Sequence, residues 1–368
     1  MLYLPDQLGS YSKEDVTFLF RDLTHVTLEK STEEREKSIQ SGKMHYSEML
    51  PREYQPSETY MALYEEILER NAEKVANFVA VVAEKIAAYR GVEQLVLVSL
   101  ARGGTPIGIL LKRYFQQFYG VNVPHYSISI IRDRGIDETA LHYILQQHPH
   151  AELQFVDGWT GKGAITKELD KSITYWNQRN SHKLDAYLAV LADPGHCAHF
   201  YGTQDDFLIP SACLNSTVSG LVSRTVLNKA IIDTGDFHGA KYYRELEKYD
   251  VSNAFIETIV AYYSDVLMQQ GKEALKHVPI FVNPTWQGLE NIEGIKARFD
   301  IRSINHIKPG VGETTRVLLR RVPWKILVNP NAQQSLAHIF LLAEQLGVEL
   351  ESYPNMPYAC CGIIKEIV

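Results

Sequence analysis

The chain has 368 residues, of which 45% are hydrophobic and 22% charged, and it carries a net charge of −7. This length favours two domains, and the acidic balance excludes broad, non-specific nucleic-acid binding while leaving a local basic patch open. Four cysteines are too few for a disulfide scaffold, so we expect a reducing, cytoplasmic setting. The sequence contains no run of about 20 apolar residues, so we expect no membrane contact.

The first 56 residues are mixed and polar, and we expect them to form an N-terminal arm (1–56). A helical pattern follows over residues 58–90, where apolar side chains recur every three or four positions. Ser57 suits the N-cap of this helix and Gly91 its C-terminal end. The apolar stripe is therefore expected to pack into a core.

Short apolar runs then alternate with helical patterns. The expected strands are 95–98, 126–131, 153–156 and 186–192. The expected helices between them are 107–119, 137–147 and 163–178. This alternation predicts an α/β fold with a doubly wound parallel sheet, in a domain over 57–272. In such sheets, ligands bind at the carboxyl ends of the strands.

The pattern loosens beyond these strands. Residues 230–233 are interpreted as one more strand, and 240–249 and 254–269 as helices. Residues 271–279 are expected to separate the first domain from a second one, 278–368. There the alternating pattern predicts a smaller α/β/α sandwich.

A first glycine loop follows the strand 95–98. It contains Ala101, Arg102, Gly103, Gly104 and Thr105. Two glycines allow a backbone with outward N–H groups, and the arginine adds a fixed positive charge suited to phosphate oxygens. Taken alone, the loop is equally consistent with a tight strand-to-helix turn that carries a surface arginine.

A second glycine loop follows the strand 153–156 and precedes a helix. It begins at Asp157 and continues through Gly158, Thr160, Gly161, Lys162 and Gly163. A Walker-type loop needs Ser or Thr after Gly-Lys, where this chain has glycine, and the dinucleotide spacing G-x-G-x-x-G is absent. A sugar-phosphate cradle and a plain structural turn remain. In the cradle, converging N–H groups hold phosphate and the acid holds sugar hydroxyls.

Together, over roughly residues 90–235, the two loops resemble the type I phosphoribosyltransferases. The resemblance implies that the loop from Asp157 binds the ribose 5-phosphate of phosphoribosyl diphosphate, and that the loop around Arg102 contacts the diphosphate. It further implies catalytic roles for Asp157 and Arg102, with Mg²⁺ bridging diphosphate and ribose oxygens. The family usually has two adjacent acids, whereas here the second is Gly158.

The same resemblance suggests two further parts of the site. A mobile loop closes over the substrate in the family, and Arg132 and Arg134 are assigned to it; the alternative is two surface arginines paired with Asp133 or Asp137. A variable hood recognises the acceptor base, and residues 196–224 are its expected counterpart. The expected acceptor contacts are Asn215, Ser216, Thr217 and Ser219. A structural insertion capped by hydroxyl groups is the alternative for this segment.

The cysteines and histidines allow two other interpretations. His196, Cys197 and His199 invite a metal site, but no second pair has zinc-ligand spacing, so a metal ligand set stays unknown. A cysteine protease would pair Cys197 or Cys213 with His199 or His238. Cys360 and Cys361 are expected to be buried apolar residues.

A third glycine loop opens a helix in the second domain. Its basic residues Arg316, Arg320 and Arg321 suit a local nucleic-acid contact, with a capped helix and solvated arginines as the alternative. The segment resembles Pelota-like RNA-binding domains, whose loop reads Gly-x-Asn-Glu-x-x-Lys. The corresponding RNA-binding residues are Gly310, Gly312, Glu313, Thr314 and Arg316. Glycine thus replaces the family's asparagine, and arginine its lysine.

The combination of both domains resembles a bacterial family found in tellurium-resistance and stress gene clusters, often labelled StiP and described as cysteine proteases. The resemblance implies phosphoribosyl transfer to an unknown small-molecule, base-like acceptor. Two other classes stay open: a regulator that senses phosphoribosyl diphosphate and binds structured RNA without turnover, and a cysteine protease. The sequence leaves the oligomeric state open, including a homo-oligomer.

Overall fold

The computed structural model describes residues 5–31, 34, 38, 43–332 and 336–365. The strands are β1 (Thr17–Phe18), β2 (Arg21–Asp22), β3 (Glu29–Lys30), β4 (Leu50–Pro51), β5 (Leu95–Leu100), β6 (His125–Ile128), β7 (Ile130–Ile131), β8 (Gly135–Ile136), β9 (Glu152–Val156), β10 (Leu188–Ala192), β11 (Phe200–Thr203), β12 (Gly239–Ala240), β13 (Ile307–Pro309), β14 (Pro323–Val328), β15 (Glu349–Ser352) and β16 (Cys360–Ile364). The α-helices are α1 (Glu58–Arg90), α2 (Gly104–Tyr119), α3 (Glu138–Gln147), α4 (Ala164–Arg179), α5 (Ser252–Val260), α6 (Asp265–Leu275), α7 (Gln287–Arg298), α8 (Val311–Arg320) and α9 (Ala337–Leu346).

A six-stranded parallel sheet organises the first domain, in the order β1-β6-β5-β9-β10-β11. All six residues of β5 are buried, as a central parallel strand covered on both faces requires. Helices α1, α2, α5 and α6 pack on one face and α3 and α4 on the other. The predicted doubly wound parallel sheet is confirmed. Its order reverses between β5 and β9, which places the loops that follow these strands at the topological switch point.

Helix α1 has the predicted bounds. The Ser57 hydroxyl accepts the Tyr60 N–H, and Gly91 ends the helix at φ +71, where its N–H donates to Ala87 O. Its apolar stripe is buried in the larger core. Local capping and periodicity were therefore sufficient to define this element.

Three predictions beyond the central sheet are wrong. Residues 230–233 form turns, because Ile231 and Ile232 both donate to Asn228 O. The predicted helix over 240–249 is not formed. Residue 240 belongs to β12, which pairs with β2, and Arg244–Tyr249 form a 3₁₀ helix. The expected helix 254–269 is interrupted between α5 and α6. There Tyr263 is buried, and its hydroxyl donates to Leu110 O in α2.

The N-terminal segment packs along the first domain. Strand β1 extends the edge of the central sheet beside β6, β2 pairs with β12, and β3 pairs with β4. Residues 43–56 then pass close to the turn between β7 and β8 and to the segment 215–222, through contacts described below.

The second domain contains a four-stranded mixed sheet in the order β13-β16-β14-β15. Helix α7 covers one face, where Ile292 and Ile295 pack on Leu327. Helices α8 and α9 cover the other face, where Val311 and Ile339 pack near Ile326. The predicted α/β/α sandwich is confirmed. The sequence pattern predicts a helix over 333–346 in this domain, and its first residues, 333–335, lie outside the described residues.

Candidate phosphoribosyl-binding site

The two predicted glycine loops meet at the switch point of the central sheet. A Cβ on Gly104 would lie 2.2 Å from Val156 O, and one on Gly103 would lie 3.0 Å from Asp157 Oδ1. Only glycine permits this close approach of the two backbones. The loops that the sequence proposed as two halves of one site are therefore adjacent in space.

Asp157 follows β9 and is half-buried. Its Oδ1 accepts the Gly158 N–H at 2.8 Å. Burial raises the pKa of Asp157 to about 7, against the opposing effects of this hydrogen bond and of the Arg316 charge. A carboxyl group in such an environment changes charge near neutral pH, which is typical of functional sites.

Arg102 is tied to two segments distant in sequence. Its Nη1 donates to Val222 O at 3.0 Å, and its Nη2 lies 3.9 Å from Glu53 Oε2. Glu53 Oε1 also accepts from the backbone and hydroxyl of Ser216, at 3.2 and 3.0 Å. Glu53 had no signal in the sequence, because only the tertiary fold brings the N-terminal segment to this loop.

Ser99 and Thr105 fix the two ends of the same loop. Ser99 Oγ donates to Gly104 O at 3.0 Å and contacts His125 Nε2 at 2.7 Å. Thr105 Oγ1 contacts Ser127 Oγ at 2.8 Å. The Ala101–Arg102 peptide bond is cis. The Thr105 hydroxyl points into the protein, whereas Ala101, Arg102 and Gly103 are only half-buried.

The second loop combines an internal anchor with a row of backbone N–H donors. Thr160 Oγ1 donates to Asp193 Oδ1 at 2.6 Å and accepts the Gly195 N–H at 3.1 Å, so this hydroxyl holds the loop in place. Gly163 has φ +75 and precedes α4. The backbone N–H groups of 161–166 have no hydrogen-bond partner among the described residues. They lie at the positive end of α4, an arrangement suited to an anion.

The second domain covers this loop. Tyr358 donates its hydroxyl to Gly161 O at 3.0 Å, and Lys162 Nζ donates to Ile304 O at 2.6 Å. A Cβ on Gly163 would lie 2.6 Å from the Trp286 ring. Burial, then the nearby charges of Lys308 and Arg132, lower the pKa of Lys162 to about 8. Nothing in the sequence indicates that Trp286 and Tyr358 reach this loop, because only the docking of the second domain brings them here.

Arg132 and Arg134 lie in the turn between β7 and β8, which pair as a short antiparallel hairpin. Arg132 Nη1 donates to Asn305 Oδ1 at 3.0 Å, and its Nε lies 3.6 Å from Asp133 Oδ2. Arg134 Nη2 donates to Glu48 Oε1 at 3.1 Å. Their assignment to a closing loop stays a prediction, and the Asp133 contact fits the alternative of a surface pair.

The expected acceptor contacts lie in a well-packed segment. Ser219 Oγ donates to Asn215 O at 2.6 Å, and Ser216 bonds to Glu53 as described. Thr217 is buried, and its O accepts from Val251 N at 2.8 Å. These bonds are what a hydroxyl-capped insertion would make. The assignment of the four residues to acceptor binding stays a prediction.

All four cysteines are buried and none forms a disulfide. Burial raises the pKa of Cys197 to about 12, and that of Cys361 equally. His199 Nδ1 accepts the Leu188 N–H at 3.3 Å, and His238 Nδ1 contacts Ser129 Oγ at 2.8 Å. These environments oppose formation of a thiolate and direct the two imidazole rings to other partners.

The expected RNA-binding loop faces the first domain. Asp206 accepts the N–H groups of Val311 at 3.0 Å and Ala359 at 2.8 Å, and its carboxylate thereby caps α8. Arg316 Nε donates to Ala212 O at 2.9 Å and its Nη1 to Glu313 Oε1 at 2.9 Å. Gly310 and Thr314 are buried and Gly312 is half-buried. The Arg320 side chain lies outside the described part of the structure.

Within the described ranges, no group of three or more His, Cys, Asp or Glu side chains is arranged to hold a metal ion. Asp157 would supply one carboxylate to a metal ion at the switch point. Mg²⁺ usually takes one or two protein carboxylates and completes its shell with substrate phosphates and water. The residues present therefore fit an ion that is brought largely by a diphosphate ligand.

No described helix combines the length and apolar character needed to cross a membrane.

Comparison with known proteins assigns the family. Residues 9–260 match the family described as tellurite-like stress resistance cysteine protease StiP, and residues 286–366 match the PELOTA RNA-binding domain. A protein named cysteine protease StiP from Acinetobacter baylyi is 36% identical over 380 residues, covering 98% of this chain and 94% of that protein. The chain belongs to the StiP family.

Two solved structures of a Trypanosoma cruzi hypoxanthine phosphoribosyltransferase are also similar. One is 19% identical, with a TM-score of 0.27 over 36% of this chain and 77% of that chain. The other, a complex with the product IMP, is 14% identical, with a TM-score of 0.26 over 51% of this chain and 93% of that chain. Such values are too low to support functional transfer, and the sheet order of this chain defines its architecture.

Proposed function

We propose that this protein transfers a phosphoribosyl group from phosphoribosyl diphosphate to a base-like acceptor. One observation carries the proposal: the loop 101–105 and the loop 157–163 touch at the switch point, beside a carboxyl group and a row of N–H groups with no partner among the described residues. Ligands of doubly wound sheets bind at this place. A sugar with a phosphate on each side would use both loops and the acid.

The chain's own residues have separable roles in this reaction. The N–H groups of 161–166 bind the 5-phosphate, and Asp157 holds the ribose hydroxyls. The bond from the anomeric carbon to the diphosphate oxygen breaks, and a bond to the acceptor forms as the acceptor's proton leaves. A fixed negative charge near the ribose stabilises the positive charge that develops on it. Asp157 and the substrate oxygens would hold Mg²⁺, which neutralises charge on the leaving diphosphate.

Arg102 is the residue suited to the leaving group, because guanidinium binds phosphate oxygens through several donors. In this structure it contacts Glu53 and Val222 O. Binding of diphosphate therefore exchanges the long Glu53 contact for phosphate contacts.

Titration calorimetry with phosphoribosyl diphosphate and Mg²⁺ tests the proposal. We expect binding that is lost when EDTA removes the metal, and no comparable binding of ribose, which lacks both phosphates. Diphosphate release with a panel of nucleobases would demonstrate transfer. Absence of binding would contradict every function proposed for the sheet. Binding without release would favour a sensor of the donor.

That sensor is the second candidate function, and the PELOTA match favours it because it adds an RNA partner. Gly158 stands where a second acid would strengthen catalysis, which also suits binding without turnover. The test is an electrophoretic mobility shift with structured RNA, with and without phosphoribosyl diphosphate. A donor-dependent change in RNA affinity supports the regulator, and unchanged affinity contradicts it.

Peptidase activity is suggested by the name of the A. baylyi relative. Cys197 and Cys213 are both fully buried here, which leaves no exposed sulfur for attack on a peptide. We therefore expect no thiol-dependent proteolysis. If proteolysis is observed, its survival in Cys197→Ser and Cys213→Ser would exclude both sulfurs as the nucleophile.

A further inference from the structure

Cations from both domains converge above the 157–163 loop. Lys162 Nζ donates to Ile304 O at 2.6 Å, and Arg132 Nη1 donates to Asn305 Oδ1 at 3.0 Å. Both side chains come from the first domain and reach the segment of the second that leads into Lys308. Lys308 is half-buried in β13. The positive end of α4 lies beneath the same segment, because Lys162 belongs to the loop that precedes this helix.

This cluster carries an excess of positive charge. Burial lowers the pKa of Lys308; Glu313 opposes the shift, while Arg321, Arg132 and Arg316 add to it. The groups acting on Lys308 thus include one carboxylate and three guanidinium groups, within a chain of net charge −7. Like charges held close together in a partly desolvated interface repel, and a bound anion relieves that repulsion.

Arg316 extends the cluster toward the acid. Its guanidinium carbon lies 5.2 Å from the centre of the Trp159 ring, and Trp159 is two residues after Asp157. Its charge acts on the Asp157 carboxyl group. Nε and Nη1 are bonded within the protein, whereas Nη2 makes no hydrogen bond to any residue that the structure describes. Arg316 therefore retains donors for a ligand beside the loop.

We propose that the second domain completes the phosphoribosyl site, with Lys308 and Arg316 binding anionic groups of the donor alongside Lys162. This inference rests on the proposed function and deepens it. It gives the C-terminal domain a part in small-ligand binding that a role in RNA recognition does not include. The donor would then bind across two domains rather than on the sheet alone.

The backbone phosphates of an RNA are a less suitable ligand for these cations. Asp206 already occupies the start of α8 through its bonds to Val311 and Ala359. Gly310, in the same loop, lies against the first domain, where a Cβ on it would be 3.1 Å from Asp206 Oδ1. A long polyanion would need a larger separation of the domains than a sugar phosphate does.

The inference is tested by calorimetry on the full chain. One titration uses phosphoribosyl diphosphate with Mg²⁺, and a second uses ribose 5-phosphate. Lys308→Ala and Arg316→Ala should each weaken donor binding about tenfold or more, the range of a lost charge-assisted hydrogen bond. Lys308→Ala should weaken ribose 5-phosphate as well. Arg316→Lys should recover part of the loss. The matched controls Lys325→Ala and Arg298→Ala remove cations that pair with Glu351 elsewhere in this domain, and should bind within twofold of wild type.

The outcomes separate this inference from the function on which it rests. If wild type does not bind the donor, the proposed function fails. If wild type binds and both alanine variants bind equally well, only the present inference fails. Weaker RNA binding with unchanged donor binding would also overturn it and assign the cluster to RNA. Should an alanine variant unfold, Lys308→Gln and Arg316→Gln provide the same comparison with more of the side chain retained.

Discussion

Asp157 is the residue on which the proposed chemistry depends. It stands without a second acid, since Gly158 follows it, and the Gly158 N–H donates to its carboxylate. The glycine has a structural reason, because a Cβ at this position would lie 3.3 Å from Gly103 O. The close packing of the two loops therefore favours a small residue at position 158, where the phosphoribosyltransferases that the loops resemble usually have an acid.

We expect Asp157→Asn to lower turnover about 100-fold or more while changing donor affinity by only a few fold. The substitution keeps the shape but removes the charge that stabilises the transition state. Diphosphate release and calorimetry measure the two quantities. Asp170→Asn, on the helix that follows the loop, is the matched control and should retain both. An unchanged rate in Asp157→Asn would remove this residue from the mechanism.

The pH dependence of turnover follows from the same residue. Burial raises the pKa of Asp157 to about 7, so protonation removes its charge as the pH falls through that value. The rate should therefore fall about tenfold per pH unit below pH 7 and level off above it. A pH-rate profile on wild type checks this expectation. If the rate does not change between pH 5 and pH 8, ionised Asp157 is not the form required for turnover.

Among the structural elements, the start of helix α8 is held by a residue from the other domain. Asp206 accepts the N–H groups of Val311 and Ala359, which have no side-chain cap of their own. Burial raises the pKa of Asp206 to about 6, against the lowering effect of these hydrogen bonds. The carboxylate thus joins the helix of one domain to the loop after β11 of the other.

Asp206→Ala should destabilise the protein by about 2 kcal/mol, because it leaves buried N–H groups without an acceptor. Denaturant unfolding measures the change. The exposed neighbour Asp205 supplies the control: Asp205→Ala should stay within about 0.5 kcal/mol of wild type. Equal stability of the two variants would show that this cap does not contribute to docking.

Gly163 lies directly before helix α4, and both its backbone conformation and the limited space around it favour glycine. It has φ +75, and a Cβ there would lie 2.6 Å from the Trp286 ring. Gly163→Ala should cost about 2 kcal/mol or more in unfolding free energy. Gly294→Ala, in the middle of α7 with open space around it, should instead stabilise by about 0.5–1 kcal/mol. A neutral Gly163→Ala would contradict the described contact with Trp286.

On the scale of the molecule, the two domains share one core. Val311 and Leu318 of the second domain belong to the same buried cluster as Leu208 and Ile209 of the first. The segment between the domains is also fixed, since Phe281 packs on Tyr89 with ring centres 5.3 Å apart. An interface of this kind favours a single arrangement over independently moving domains.

We therefore expect one cooperative unfolding transition by calorimetry, with equal calorimetric and van't Hoff enthalpies. Two separated transitions in wild type would show that the domains unfold independently. Val311→Asp places a charge in the shared core and should split the transition or lower its midpoint. A midpoint that rises with phosphoribosyl diphosphate would connect the same equilibrium to ligand binding.

Local patterns in the sequence were sufficient for helix α1, for the central strands and for the two loops. Helix α1 has its cap and stop beside it in the chain, and β5 and β9 are apolar runs that end at loops of recognisable chemistry. The parallel order then required both loops to lie at one edge of the sheet. The break after α5 was missed because the Tyr263 hydroxyl is directed by its tertiary partner, Leu110 O.

Only the tertiary structure decided what surrounds those loops. Glu53 reaches Arg102 from the N-terminal segment, and Lys308 and Arg316 come from the second domain. Their places depend on how the domains dock, which is set by non-local packing of side chains such as Val311 and leaves no periodic pattern in the chain. The sequence determined the two glycine loops, while docking determined which cations and carboxylates lie beside them.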